Sequence, residues 1–185
     1  MILIDAGHGG PSDRGARYGG FDEADLNLRQ AREIYAVLTA LGHSAELIRD
    51  DDLAWTLTER AELAAALECT VAIVVHHNAG PAELHGPLFF HWPRDVGGRR
   101  VAETIARCMP DPLYCKGSRV WVSDRSARWL QRPSAVLRPY AERGISALLI
   151  EVGYMSNADD LAAVMLPAVR RGVSLAVACG LHPEA

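Results

Sequence analysis

The sequence predicts a single three-layer α/β domain over residues 1–185, with a mostly parallel mixed sheet of about six strands flanked by helices. Short apolar runs that break at glycine alternate with longer segments whose apolar residues recur every three to four positions. The first pattern is typical of buried strands and the second of helices that cover them. A chain of 185 residues is also long enough for one complete core.

The first predicted strand is the apolar run at residues 2–4, which soon breaks into Gly7, His8 and further glycines. An uninterrupted apolar run is typical of a strand that is covered on both faces, and the glycines permit a sharp turn. His8 is therefore expected at the carboxyl end of a core strand, where open α/β sheets bind ligands. Residues 9–22, rich in Gly, Asp, Arg and Ser, are predicted to form a long loop.

A helix is predicted next, because apolar residues recur at helical spacing after residue 23 and Gly42 follows in the usual C-terminal position. Glu23 lies in the first turn of this helix, where the positive end of the dipole favours a carboxylate. A short strand at residues 44–48 and a second helix at about residues 58–67 follow.

The pattern of the opening segment recurs twice. The apolar run at residues 71–75 ends in His76 and His77, and a third run at residues 145–150 ends in Glu151. Each run indicates a core strand that presents polar side chains at its carboxyl end. Because of this recurrence, we predict that His8 is not an isolated histidine but belongs to a group of polar residues at the ends of the core strands.

The remaining segments are expected to complete the layers around the sheet. They are a strand at 86–91, a helix at 96–108, loops over the site at 109–135, and one or two helices at 157–181, the second starting at Pro167.

Composition and charge exclude several functional classes. The net charge of −4 gives no general attraction to nucleic acid or to anionic membranes. No apolar run approaches the roughly 20 residues that span a bilayer. Because the first predicted strand starts at residue 2, no signal peptide precedes it, so synthesis in the cytoplasm is expected unless a leader has been removed. A monomer is expected.

The four cysteines have no CxxC spacing typical of metal sites; they are Cys69, Cys108, Cys115 and Cys179. We interpret them as small core residues or free thiols. A Cys108–Cys115 disulfide across the intervening proline-containing loop is the alternative.

The side chains at the predicted strand ends and helix start suit a zinc site. Catalytic zinc commonly takes three ligands from His, Asp and Glu and keeps one position for water. His8, Glu23 and His76 form such a set. Glu151, the remaining carboxylate, could then act as general base on the water and later protonate a leaving amine.

Four sequence blocks carry a family resemblance; they are Asp5-Ala-Gly-His8-Gly-Gly, Glu23-Ala-Asp-Leu-Asn-Leu, His76-His-Asn78-Ala and Ile150-Glu151-Val-Gly-Tyr-Met-Ser-Asn157. In this order they resemble the zinc-dependent N-acetylmuramoyl-L-alanine amidases of the Amidase_3 type, found in bacterial cell-wall hydrolases and phage endolysins. The resemblance runs from about residue 2 to residue 181. It implies that His8, Glu23 and His76 bind zinc. It also implies that Glu151 is the catalytic glutamate. It also implies that three further matched residues shape the site, namely Asp5, Asn78 and Asn157.

Two adjacent residues leave alternatives open in this assignment. His77 competes with His76, although consecutive strand residues face opposite sides, so only one of the two should reach a metal easily. Asp22 likewise competes with Glu23. In both cases the register of the resemblance favours His76 and Glu23.

The resemblance implies a peptidoglycan hydrolase that cleaves the amide between N-acetylmuramic acid and the L-alanine of the stem peptide, with Zn²⁺ as cofactor. Its expected place of action is the cell wall, and a phage or prophage lysin released through a membrane lesion is the expected setting. The alternatives are a zinc peptidase acting on another amide and an inactive cell-wall-binding homologue.

Overall fold

A computed structural model describes residues 1–111, 119–122 and 131–182 of the protein. The strands are β1 (Ile2–Ala6), β2 (Arg17–Tyr18), β3 (Phe21–Asp22), β4 (Ala45–Leu47), β5 (Val71–Asn78), β6 (Leu88–His91), β7 (Arg119–Val122) and β8 (Ser146–Tyr154). The helices are α1 (Glu23–Ala40), α2 (Leu57–Ala66), α3 (Val96–Cys108), α4 (Gln131–Ala141), α5 (Ala158–Met165) and α6 (Pro167–Gly180).

Six strands form one mixed sheet in the order β4-β1-β5-β8-β6-β7. The strands β4, β1, β5 and β8 pair in parallel. The pair β6 and β7 is parallel within itself but joins β8 in the antiparallel direction. The predicted fold class is therefore confirmed, and the central parallel strands β1, β5 and β8 all end at the same edge of the sheet.

Alternate strand residues enter two separate cores, which makes the structure three-layered. Ile4 and Ile73 face the core formed with α1, α3, α5 and α6. Leu3 and Val74 face the opposite core, which α2 and α4 cover. Side chains of successive strand residues point to opposite faces of a sheet, so continuous apolar runs are required where both faces are covered.

Local side-chain hydrogen bonds or a proline mark the beginning of three helices. Thr56 and Glu59 form a capping box at the start of α2, in which each side chain bonds the other residue's backbone N–H. The Asn157 side chain accepts hydrogen bonds from two backbone N–H groups at the start of α5. Pro167 begins α6, as predicted from its fixed backbone angle and missing N–H.

Two predicted loops contain regular structure. The segment at residues 9–22 includes the hairpin β2–β3, which turns through Gly19 and Gly20 at φ of 58° and 83°. Glycine adopts such angles without strain, so this pair was a hairpin signal that the loop prediction missed. An ion pair between Arg17 and Asp22 joins the two short strands.

The predicted loops at residues 109–135 are also partly wrong. Strand β7 and the beginning of α4 fall inside this segment, while residues 112–118 and 123–130 lie outside the described part of the chain. Strand β7 has only four residues, and α4 contains Pro139. A short edge strand and an internal proline both weaken the periodic pattern on which the prediction depended.

Among the described residues, no single helix is long and apolar enough to cross a bilayer. Only α5 and α6 taken together reach that length and composition, and they are bent by 83° relative to each other.

Helices α3 and α6 pack with their backbones close together at two glycines. A Cβ atom on Gly180 would lie 2.5 Å from Cγ1 of Ile105 and 3.0 Å from the carbonyl oxygen of Val101. A Cβ atom on Gly172 would lie 2.8 Å from Cβ of Pro110, just beyond the end of α3. Glycine is therefore required at both positions for this approach.

We expect Gly180→Ala to lower the free energy of unfolding by about 1–3 kcal/mol, because the added methyl group overpacks the contact with α3. Chemical denaturation of the purified variant measures this loss.

Gly97→Ala is the matched control, because it lies in the same pair of helices and its added Cβ would have only an ordinary contact, 3.6 Å from Oδ1 of Asp95. Alanine is favoured over glycine in a helix, so the stability of this variant should be unchanged or raised. Equal losses in the two variants would contradict the packing explanation.

Candidate metal centre

The candidate site lies at the carboxyl edge of the central parallel strands. His8 follows β1 closely, and His76 in β5 is the direct register partner of Glu151 in β8. Glu23 is the first residue of α1 and comes to the same edge through the hairpin β2–β3. The structure thus brings together all four residues that the sequence singled out, although β5 and β8 extend beyond the strand ends predicted at residues 75 and 150.

Three of these side chains form one compact group. The potential ligand atoms of His8, Glu23 and His76 all lie within 4.8 Å of one another. Glu23 occupies the middle, with Oε1 2.8 Å from Nδ1 of His76 and Oε2 3.3 Å from Nε2 of His8. The two imidazole rings lie edge to face, with their centroids 4.9 Å apart.

The second nitrogen of His8 is held by another carboxylate. Nδ1 of His8 lies 2.6 Å from Oδ1 of Asp13, which orients the ring and leaves Nε2 facing Glu23. Histidine ligands of metals usually have their other ring nitrogen bonded in this way. His8 also has φ of 59°, a strained backbone conformation for a non-glycine residue that often marks functional sites.

Burial and hydrogen bonding shape the charges of this group. Burial alone would raise the pKa of Glu23, but hydrogen bonds with His76 and His8 outweigh it and hold that pKa far below its usual range. Burial alone would lower the pKa of His8, but its contacts with Glu23 and Asp13 outweigh burial and raise it. Glu23 is therefore an anion between two imidazoles.

Two glycines make room for these side chains. A Cβ atom on Gly7 would lie 2.2 Å from Nε2 of His76, inside the ring's own volume. A Cβ atom on Gly15 would lie 2.6 Å from both Oε2 of Glu23 and Cδ2 of His8. Any larger residue at either position would displace a member of the group.

The donor set and its spacing fit a zinc ion. Two imidazole nitrogens and one carboxylate oxygen are a common protein contribution to catalytic zinc, and ligands at 2.0–2.1 Å from one tetrahedral ion lie about 3.3 Å apart. The distance between Nε2 of His8 and Oε2 of Glu23 has this value, 3.3 Å, whereas Nδ1 of His76 lies at a hydrogen-bond distance of 2.8 Å from Oε1 of Glu23. His8, Glu23 and His76 could therefore hold zinc once the hydrogen bond between His76 and Glu23 opens.

His77 lines the same groove but is not part of this group and has a different set of contacts. It is buried, and its Nδ1 lies 2.8 Å from Oδ1 of Asn27 in α1. Burial lowers the pKa of His77 to about 4, so its ring is neutral near neutral pH. The amide of Asn27 also donates to the carbonyl of Gly7 and to Oε1 of Glu23, so His77 supports the helix start that carries Glu23.

Asp22, the neighbour of Glu23, faces other partners. Its carboxylate forms ion pairs with Arg17 and Arg14 in the preceding loop and hairpin. Asp22 thereby stabilises the hairpin that leads into α1, and Glu23 is left as the carboxylate between the two histidines.

A groove of about 740 Å³ opens over the group, and Glu151 lines it. The segment that contains Asp13 and Arg14 lines it, and so do Trp55, Leu57 and Val136. The volume lies within the range of small-molecule and substrate sites. A carboxylate, three potential metal ligands and an apolar wall therefore face one cavity.

A buried ionic network lies beneath His8. Arg60 in α2 forms an ion pair with Asp5 in β1, and it also donates to the carbonyl oxygens of Ala6 and His8, at 2.9 Å in each case. Tyr140 in α4 donates to the other oxygen of Asp5. Burial and the Asp5 carboxylate raise the pKa of Tyr140 well above its usual value. This network fixes the backbone that presents His8.

Arg60 was not among the site residues predicted from the sequence, although two features of the sequence point to it. Arg60 shares the buried stripe of α2 with Ala61 and Ala64, and Asp5 lies in an otherwise apolar strand. A buried charge requires a partner, so a cation on the adjoining helix was to be expected. Of the two other residues implied to shape the site, Asn78 lines the groove and accepts from the next backbone N–H, and Asn157 caps α5 and donates to the carbonyl oxygen of Ala82.

We expect Arg60→Met to lower the free energy of unfolding of the metal-free protein by about 3–5 kcal/mol, because it leaves the Asp5 carboxylate buried without its cation. Urea denaturation measures the change.

Arg99→Met is the control, because it removes an exposed ion pair with Glu103 in α3. Exposed pairs contribute less than about 1 kcal/mol. A loss for Arg60→Met as small as that for Arg99→Met would contradict the importance of the buried network.

Comparisons with known proteins identify the family and the fold of this chain. The family model described as N-acetylmuramoyl-L-alanine amidase, Amidase_3, matches residues 2–182. The endolysin of Bacillus phage SPP1 is 28% identical over 165 residues, which are 88% of this chain and 57% of that protein. The probable cell wall amidase LytH of Staphylococcus aureus is 29% identical over 163 residues, 86% of this chain and 49% of that protein.

A solved structure has the same fold. The N-acetylmuramoyl-L-alanine amidase AmiC2 of Nostoc punctiforme superposes with a TM-score of 0.80 at 26% identity, covering 97% of this chain and 93% of that one. The chain therefore spans about half the length of the two curated relatives above, but nearly all of this solved amidase chain.

Proposed function

Because the chain belongs to the N-acetylmuramoyl-L-alanine amidase family, Amidase_3, we propose that it is a zinc-dependent peptidoglycan hydrolase. Residues 1–185 would form one catalytic domain that cleaves the amide between the lactyl group of N-acetylmuramic acid and the L-alanine of the stem peptide. The observation that carries this proposal is the group of His8, Glu23 and His76 beneath a groove that Glu151 also lines.

In this proposal His8, Glu23 and His76 hold the zinc ion. Bound zinc supplies two kinds of chemistry, polarisation of a carbonyl oxygen and a lowered pKa of bound water. The anionic Glu23 offsets part of the charge of the ion, and Asp13 keeps the His8 ring oriented through Nδ1. The supporting residues would thus hold the ligands in place before substrate binds.

Glu151 is proposed as the general base and acid. Its carboxylate takes a proton from the attacking water, whose oxygen bonds to the carbonyl carbon of the lactyl group. It then delivers that proton to the alanine nitrogen as the carbon–nitrogen bond breaks. The products are a free lactyl carboxylate on muramic acid and a stem peptide with a free amino terminus.

The walls of the groove suggest how the substrate lies. Trp55, Leu57 and Val136 offer apolar surface, whereas Arg14, which also lines the groove, is already paired with Asp52 and Asp22. We propose that the sugar and lactyl group lie along the apolar residues. Cell-wall turnover or phage lysis is then the setting in which the chain acts, in line with the names of its relatives.

We expect Glu151→Gln to lower the rate of hydrolysis by at least about 100-fold, because an amide cannot accept the proton from water at neutral pH. Zinc content should remain at the wild-type level. Purified peptidoglycan is the substrate, and mass spectrometry of the released fragments is the measurement.

For the wild type, the fragments should be stem peptides that begin with a free L-alanine and lack muramic acid. New reducing sugar ends, or cleavage only at peptide bonds as by a zinc peptidase, would contradict the proposed reaction. Binding to peptidoglycan without any hydrolysis by the zinc-loaded wild type would instead indicate an inactive cell-wall-binding homologue.

We expect His8→Ala and His76→Ala each to weaken zinc binding by more than about 100-fold, because loss of a residue that merely supports a ligand already costs about 10–100-fold. Competition with a chromophoric chelator measures the affinity.

His77→Ala is the matched control, since it removes an adjacent imidazole that bonds to Asn27. It should lower thermal stability and, because His77 only supports the segment that carries Glu23, weaken zinc binding by no more than about 10–100-fold, less than either ligand variant. Zinc loss in His77→Ala with retention in His76→Ala would reverse the ligand assignment.

A further inference from the structure

Two cysteines that the proposed reaction does not use lie side by side on the surface. Cys108 is the last residue of α3, and Cys179 lies near the end of α6. Their Sγ atoms are 3.0 Å apart, although 71 positions separate them in the sequence. Both residues are exposed free thiols. Neither belongs to the groove or to the buried network beneath it.

The close approach of the two sulfurs follows from the packing of the helices that carry them. Gly180, next to Cys179, lets α6 contact Ile105 of α3 directly, and Gly172 does the same opposite Pro110. These contacts lie on either side of the thiol pair. The buried side chains of Ile105 and Val173 anchor both helices in the same core. The two thiols therefore face each other as a consequence of tertiary packing.

Cys69 provides an internal contrast. It is buried in the opposite core, against α2 and the other face of the sheet. Burial raises the pKa of its thiol, and the hydrogen bond with Cys179 raises the pKa of Cys108 too, so accessibility to an oxidant is what distinguishes the exposed pair from Cys69. Cys115 lies outside the described residues, so the predicted Cys108–Cys115 pairing has no structural description. Cys108, the partner in that prediction, instead faces Cys179.

We infer that Cys108 and Cys179 form a disulfide site that links α3 to α6, closed by exchange with a small-molecule or protein disulfide. One cysteine thiolate attacks a sulfur of the oxidant disulfide and displaces a thiolate from it. The second cysteine then attacks the protein sulfur of that mixed disulfide and displaces the other half of the oxidant. Two thiol protons and two electrons pass to the oxidant, which leaves as two thiols.

The link would connect α3 and α6 covalently. It encloses the chain between α3 and α6, including β8 and Glu151, and so reduces the freedom of the unfolded chain. Such a link persists outside the reducing cytoplasm, and peptidoglycan also lies outside the cytoplasm. Formation of the link does not depend on whether the chain is an amidase. The test below detects the disulfide itself and does not measure hydrolysis.

The test uses the folded, full-length protein with oxidised glutathione, followed by alkylation of free thiols and tryptic mapping without reduction. Cleavage after Arg107, Lys116 and Arg171 gives peptides 108–116 and 172–185. Because the first of these contains both Cys108 and Cys115, the Cys115→Ser variant is mapped beside the wild type. We expect peptides 108–116 and 172–185 to be joined in both proteins.

Three variants complete the design. Cys69→Ser should form the link as the wild type does, whereas Cys108→Ser and Cys179→Ser should each lose it. Oxidation should raise the Tm of the wild type by roughly 5 °C or more, reversibly with dithiothreitol, and should leave the Tm of Cys179→Ser unchanged. An internal Cys108–Cys115 bond in the wild type, stable glutathione adducts without closure, or unreacted thiols would each overturn the inference.

Discussion

The structure depends on burying one carboxylate, Glu23, between two imidazoles at the carboxyl edge of the sheet. An isolated buried anion would be costly, so the surrounding chain must supply partners for both of its oxygens. His76 faces Oε1, while His8 and the backbone N–H of Ala16 face Oε2. Each partner comes from a different segment, so the strands β1 and β5 and the hairpin before α1 must all meet at this point. A dication bound by the two imidazoles would satisfy the same anion, in place of the protons that they share with it.

Two buried arginines make this edge rigid enough to hold such a site. Arg60 fixes Asp5 and the carbonyl of His8, and Arg49 donates to the carbonyl oxygens of Ala6 and Gly7. The turn after β1 thus has its carbonyls bonded to guanidinium groups rather than to water. Guanidinium offers several donors in a fixed plane, which suits a strained turn where His8 adopts a positive φ. The cost of the strained histidine is offset by contacts beneath it.

Much of the fold and the membership of the site could be predicted from sequence, because both depend on strong local patterns. Continuous apolar runs identified β1, β5 and β8, and the polar residues that follow them identified the edge where His8, His76 and Glu151 meet. The hairpin β2–β3, strand β7 and helix α4 were missed, since short strands and an internal proline leave little periodicity. The Cys108–Cys179 contact was beyond reach, because it depends on how helices pack rather than on spacing within one segment, whereas Arg60 could have been expected from the buried Asp5 with which it pairs.

If His8, Glu23 and His76 bind one zinc ion, only nitrogen and oxygen donors surround it. X-ray absorption at the zinc edge, on protein reconstituted with one equivalent of zinc, detects these donors. We expect a first shell of two imidazoles with carboxylate and water oxygens at about 2.0–2.2 Å, unchanged in His77→Ala. A sulfur shell at about 2.3 Å, or an imidazole contribution that disappears in His77→Ala, would contradict this ligand assignment.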